Sequence, residues 1–147
     1  MLSPFLVNDK QLTLVRFPLA QVNRSLQAWD SSDEYLLNHI KDKQLISDNA
    51  RVVIFNDAFG ALATHFCSEE FVQKNINVYC VNDSYISHQG IANNIEQNQL
   101  NGENITQLNS LSALPADIDV VLFKIPKSKS LLIEQLIQIK NNVGQNT

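Results

Sequence analysis

Two groups of residues in this chain have types and spacings that chemistry could use. The first lies in the run Asn56-Asp57-Ala58-Phe59-Gly60-Ala61-Leu62, directly after the β-branched and aromatic stretch 52–55. Such a run reads as a strand, a tight turn and a helix start, and in a βαβ unit a ligand sits outside the strand's carboxyl end, at the helix N-terminus. A turn that cradles a nucleotide wants several glycines, so that the backbone can approach without Cβ atoms in the way. Here Gly60 is the only one; Ala58 and Leu62 take the other places, and Asn56 stands where an acid usually ends the strand. The second group is Lys124, Lys127 and Lys129, a small basic cluster after the apolar run 120–123 and beside a helix start. Lysines there suit a phosphate, or form a solvated loop. Arg16 and Arg24, near the N-terminus, are weaker candidates for the same role.

Positioning these residues takes an alternating chain. The apolar runs 52–55, 78–81, 105–108 and 120–123 read as strands buried on both faces. Helices are expected between the first three, with Phe59, Leu62 and Phe66 inward on the first and Ile86, Ile91 and Ile95 on the second, which reaches about residue 99, while 111–116, broken by Pro115, is too short for a full crossover helix. Asp83 or Ser84 caps that second helix. A last helix, 128–140, places Leu132, Leu136 and Ile139 on one stripe. Before the first strand, Ser31-x-x-Glu34 reads as a capping box opening a helix to about residue 43. Crossovers of this kind return parallel. The expected fold class is therefore α/β, a parallel sheet of about four strands with flanking helices. A doubly wound sheet normally continues further, so the expectation is a fragment truncated before its last strands.

Residues 1–30 read as an N-terminal extension, and 31–147 as the partial domain. Short apolar stretches at 5–7 and 12–17 make a hairpin, with Leu26 and Trp29 anchoring the extension to the main body.

The totals bound the function. The chain has 147 residues, 44% hydrophobic and 18% charged, in the range of one globular domain. A net charge of -4 disfavours strong unaided binding to nucleic acid. The two cysteines, Cys67 and Cys80, have no metal-cluster spacing and read as reduced, buried thiols. His39, His65 and His88 have no partner at ligand spacing, so no metal is expected. No apolar run approaches a membrane span. A cytoplasmic location follows as the expectation.

The motifs Asn56-Asp57-Ala58-Phe59-Gly60-Ala61-Leu62, Asp83-Ser84-Tyr85-Ile86-Ser87, Trp29 with Asp33-Glu34-Tyr35-Leu36-Leu37, and Lys124-Ile125-Pro126-Lys127 together resemble the N-terminal domain of the RlmG/RsmC family of rRNA guanine-N2 methyltransferases, and most closely its large-subunit members. The resemblance implies a Rossmann-like methyltransferase fold in a protein with two such domains in tandem. It implies that the C-terminal domain binds S-adenosylmethionine and carries an Asn-Pro-Pro-aromatic motif. It implies that the N-terminal domain has lost those motifs, helps fold the protein and holds rRNA.

In that pattern, Asn56 replaces the acid that pairs with the cofactor's ammonium group, a loss of roughly 1.5–3 kcal/mol. Asp83 stands where an acid bonds the ribose hydroxyls, though a helix cap explains it too. Asn109 stands where a polar residue meets the adenine amine, though a turn explains that as well. Lys124-Ile125-Pro126-Lys127 replaces the motif that orients a target amine. Lysine accepts no hydrogen bond and repels a sulfonium, and losing such an orienting group costs about 2.7–4 kcal/mol. The expectation is a domain with no catalytic residues. Its cofactor positions Asn56, Ala58, Gly60, Asp83 and Asn109 are vestigial, and its partners are rRNA and an absent catalytic domain. The rival expectation is an active nucleotide- or S-adenosylmethionine-binding domain using Gly60 and Asp83.

Overall fold

A computed structural model describes residues 4–7, 10–16 and 28–147. In chain order the elements are β1 (Pro4–Val7), β2 (Lys10–Thr13), α1 (Ser31–Asp42), β3 (Arg51–Phe55), α2 (Ala61–Phe66), α3 (Glu69–Gln73), β4 (Asn77–Val81), α4 (Tyr85–Gln97), β5 (Ile105–Leu108), β6 (Val120–Phe123) and α5 (Lys129–Asn142). The strands β3 to β6 form one parallel sheet in the order β5-β4-β3-β6. The strands β1 and β2 pair antiparallel as a separate hairpin.

The strand β3 is central because its sequence suits burial on both faces. Successive side chains of a strand point to opposite faces. Val52 and Ile54 enter the larger core with Leu62, Phe66 and Ile91, while Val53 and Phe55 enter a smaller one with Val81 and Ile118. All four of these β3 side chains are fully buried. The hairpin lies outside the parallel sheet, as expected, but it is no mere appendage. Phe5, Leu12 and Leu14 are buried in the larger core, and the Phe5 ring lies 5.3 Å from that of Trp29. Arg24 and Leu26 lie outside the described residues.

Three local expectations are corrected. The first helix is capped one residue earlier than Ser31: Asp30 accepts from the Ser32 and Asp33 amides, and Asp33 accepts from the Asp30 amide. An aspartate pair makes the same reciprocal box as a Ser/Glu pair. On α4, Ile86 is exposed while Ile91 and Ile95 are buried. On α5, Leu136 is 48% exposed and the buried residue is Gln135. The α5 helix is turned so that this amide faces the sheet, which rotates Leu136, with Ile133 and Ile137, toward solvent.

Cys67 and Cys80 are free and buried. Burial pushes the Cys67 thiol up to about 12 and the Cys80 thiol well above its usual range, so neither ionises near neutrality.

Candidate functional site at the carboxyl edge of the sheet

The parallel sheet brings the turns after all four strands to one edge. The turn after β3 starts with Asn56 in the left-handed region, φ 67°, and closes with Gly60 at φ 88°. The glycine is required there twice over. Its φ is one that side chains rarely adopt, and a Cβ would come 3.0 Å from the Ile91 Cα. The turn thus leans directly on α4. Leu62 is fully buried in the larger core, and Ala58 is exposed.

The polar side chains of this turn have partners within the chain. The Asn56 amide donates to the Lys124 carbonyl at 2.8 Å and to Gln135 Oε1 at 2.8 Å, and its Oδ1 accepts from Gln135 Nε2 at 3.0 Å. A reciprocal amide pair thereby joins the end of β3 to α5. Asp57 turns inward and is 1% exposed. Its carboxylate accepts from the Ala63 amide at 2.8 Å and the Leu62 amide at 3.4 Å. These are N-terminal amides of α2, the donors a bound anion would use. Burial, with the like charge of Asp33 nearby, raises the Asp57 carboxyl to about 6.

The segment after β6 is equally committed. Lys124 Nζ lies 2.7 Å from Asp33 and 3.6 Å from Asp30. The Lys124 side chain is 14% exposed and that of Asp33 1%. Burial raises the Asp33 carboxyl although Lys124 opposes it; burial also works against the Lys124 charge, yet Asp33 holds the ammonium above its ordinary range. The expected basic cluster is therefore divided. Lys124 is bound to the first turn of α1, while Lys127 and Lys129 are exposed. Among the described residues neither of these two forms an ion pair. Arg16 lies over the Phe59 ring, 5.0 Å from its centre.

Asp83 does not cap α4. Ser84 does, accepting from the Ser87 amide at 3.2 Å, while Asp83 accepts from the Ser110 amide at 2.7 Å and ties the β4 turn to the β5 turn. Asn109 makes a turn of its own, with Oδ1 accepting from the Leu111 amide at 2.9 Å. His88 Nε2 meets the Asn82 carbonyl at 2.6 Å. Among the described residues no group of His, Cys, Asp and Glu is placed to hold a metal, and no helix is long and apolar enough to cross a membrane.

Three contributors were missed by reading the sequence: Asp33, Gln135 and the pair Asn94 and Asn98. The Asn94 side chain exchanges bonds with the Val15 amide at 2.8 Å and carbonyl at 2.9 Å, and donates to the Phe59 carbonyl at 2.7 Å. Asn98 treats Thr13 in the same way, at 2.7 and 2.8 Å. Asn94 on α4 and Asn98 at its C-cap, four residues apart, thus imitate a strand edge and hold the end of β2 and the residues after it. Their signal was that spacing. For Gln135, it was a lone amide within an apolar helix.

Over residues 3–147 the chain matches the family model described as the RLMG N-terminal domain. It is 63% identical to the ribosomal RNA large subunit methyltransferase G of Colwellia psychrerythraea, over 99% of this chain and 37% of that protein. The corresponding protein of Pseudoalteromonas translucida is 44% identical, over 96% of this chain and 35% of its own length. The chain spans about a third of the length of the curated relatives it matches. Among solved structures, a chain of a fibrillarin/Nop5p complex superimposes with a TM-score of 0.55 at 13% identity, covering 96% of this chain and 69% of that one. The fold is the Rossmann-like methyltransferase fold.

Proposed function

The chain belongs to the RLMG N-terminal domain family, and from that premise we propose that it is the non-catalytic N-terminal domain of an S-adenosylmethionine-dependent rRNA guanine-N2 methyltransferase. In this reading a separate C-terminal domain binds the cofactor and methylates the base. The present domain docks and helps fold that partner and adds contacts to the rRNA, in the cytoplasm.

The observation that carries the reading is the way the chain fills its own cofactor edge. An adenosyl donor needs a free acid after the first strand, open α2 amides and room at the glycine. Here Asn56 is tied to Gln135, Asp57 occupies the amides, and Gly60 is pressed on Ile91. The residues present do not fit the donor. A target amine fares no better at Lys124, whose ammonium is held by Asp33. The rival reading, a nucleotide site on Gly60 and Asp83, meets the same objection at Gly60, which packs against Ile91, and one oxygen of the exposed Asp83 carboxylate already accepts from the Ser110 amide.

Lys127 and Lys129 supply the RNA contact. Two weak surfaces on one chain raise each other's effective concentration, so a domain of net charge -4 with a local basic pair still contributes. Replacing both lysines with alanine in the full-length protein is expected to weaken rRNA binding and to lower the slope of log affinity against log salt by about 0.7 per lysine on single-stranded segments. Unchanged affinity at every salt concentration overturns the RNA role and leaves a folding and docking module.

A further inference from the structure

Asn101 is the one asparagine of this chain that a glycine follows. It lies shortly after the end of α4 and is exposed, and its Oδ1 accepts from the Glu103 amide at 2.9 Å. That bond closes a turn with the Gly102 amide inside it. Among the described residues, the Gly102 amide has no acceptor and the Asn101 side-chain nitrogen has no partner. By contrast, the side-chain nitrogens of Asn56, Asn75, Asn94, Asn98 and Asn104 donate within the chain. Asn109 makes the comparison direct. Its Oδ1 closes the same kind of turn on the Leu111 amide, also at 2.9 Å. The amide that follows it, however, is that of Ser110, which Asp83 holds at 2.7 Å, and serine carries a Cβ where glycine has none.

We propose that Asn101 is a site of spontaneous covalent modification, converting to aspartate and isoaspartate through a cyclic imide formed with Gly102. The Gly102 amide gives its proton to hydroxide, and its nitrogen attacks Asn101 Cγ to close a succinimide ring. Negative charge gathers on Oδ1 in that step, where the Glu103 amide already donates, as a preorganised donor does for an acyl-transfer intermediate. The Cγ–Nδ2 bond then breaks, and the side-chain nitrogen leaves as ammonia with a proton from water. A second water opens the imide at either carbonyl. One opening gives aspartate. The other breaks the original peptide bond and leaves the main chain running through the side chain, one methylene longer. The sum is one water taken up and one ammonia released, with no oxidation or reduction.

The place in the fold gives this change a consequence. The Gly102 carbonyl accepts from the Ile105 amide at 3.0 Å and the Asn104 carbonyl from the Val78 amide at 2.9 Å, and these bonds set the start of the edge strand β5. A Cβ on Gly102 would lie 3.3 Å from Ile95 Cγ2, so the main chain has little room on that side for an added methylene. Conversion to isoaspartate therefore loosens β5 and adds a carboxylate beside Glu103.

The test holds the full-length protein at mildly alkaline pH and follows its peptides by mass spectrometry. The peptide with Asn101 is expected to gain the mass difference of OH for NH2, in two chromatographic forms, while Asn109 stays unmodified. At mildly acidic pH the rate should fall in proportion to hydroxide. Asn101→Gln, whose longer side chain disfavours the ring, should abolish the conversion. No conversion at Asn101 in the folded protein overturns the proposal, and so does conversion of Asn109 at an equal rate. Hydrogen exchange of the converted protein should quicken at β5 and match the parent at β3; unchanged exchange at β5 overturns the structural consequence.

Discussion

At the scale of single residues, Asp57 is the buried acid of the turn after β3. Its carboxyl is buried and raised to about 6, well above the usual 3.8. Between those values the folded chain binds a proton that the unfolded chain has released. Stability from this group is therefore full below about pH 4 and is lost as the pH rises through about 6, at about 1.4 kcal/mol for each pH unit between the two. Asp57→Asn removes the titration and keeps one acceptor for the α2 amides. Melting curves across pH 4 to 7 should show the variant gaining on the parent as the pH rises through that interval. A constant difference between the two would mean that Asp57 ionises normally in the folded chain. None of this was legible in the sequence. The left-handed turn at Asn56 is what aims Asp57 into the core, and no residue pattern announces it.

At the scale of elements, the sheet's edge is closed by two cross-links, Asn56 to Gln135 and Lys124 to Asp33. The second joins the end of β6 to α1, elements that no local pattern connects. Removing one partner of a buried pair leaves the other charge without compensation, so Lys124→Ala should destabilise by about 3–5 kcal/mol in urea unfolding. Lys124→Met with Asp33→Asn should recover most of that loss. A near-neutral Lys124→Ala would show the pair to be solvated. Asn94→Ala strips the Val15 amide and carbonyl of their partners and should cost about 1–3 kcal/mol. The expected sign is faster hydrogen exchange at the Val15 amide, with β3 unaffected; unchanged exchange there would show that the asparagine does not hold the segment.

The elements themselves were largely legible. Strands β5 and β6 fall on the expected residues and β3 and β4 begin one residue early, because short β-branched runs bounded by polar turns leave little choice. The faces of α4 and α5 were not. Apolar spacing alone put Leu136 inside, whereas hydrogen bonding of one amide pair fixed the helix rotation.

For the whole molecule, the chain has the Rossmann-like methyltransferase fold, and the polar side chains Asn56, Asp57 and Lys124 at the carboxyl ends of β3 and β6 are bonded within the chain. The fold follows from hydrophobic pattern, which the chain retains. The contacts at that edge come from partners on α1, α4 and α5, elements that no motif at the turn could reveal. The most direct measurement is hydrogen exchange across residues 56–62 of the full-length protein, with and without saturating S-adenosylmethionine. The expected result is no protection there, while the cofactor binds elsewhere in the protein with a stoichiometry of about one. Protection of residues 56–62, with a second equivalent bound, would contradict a closed edge.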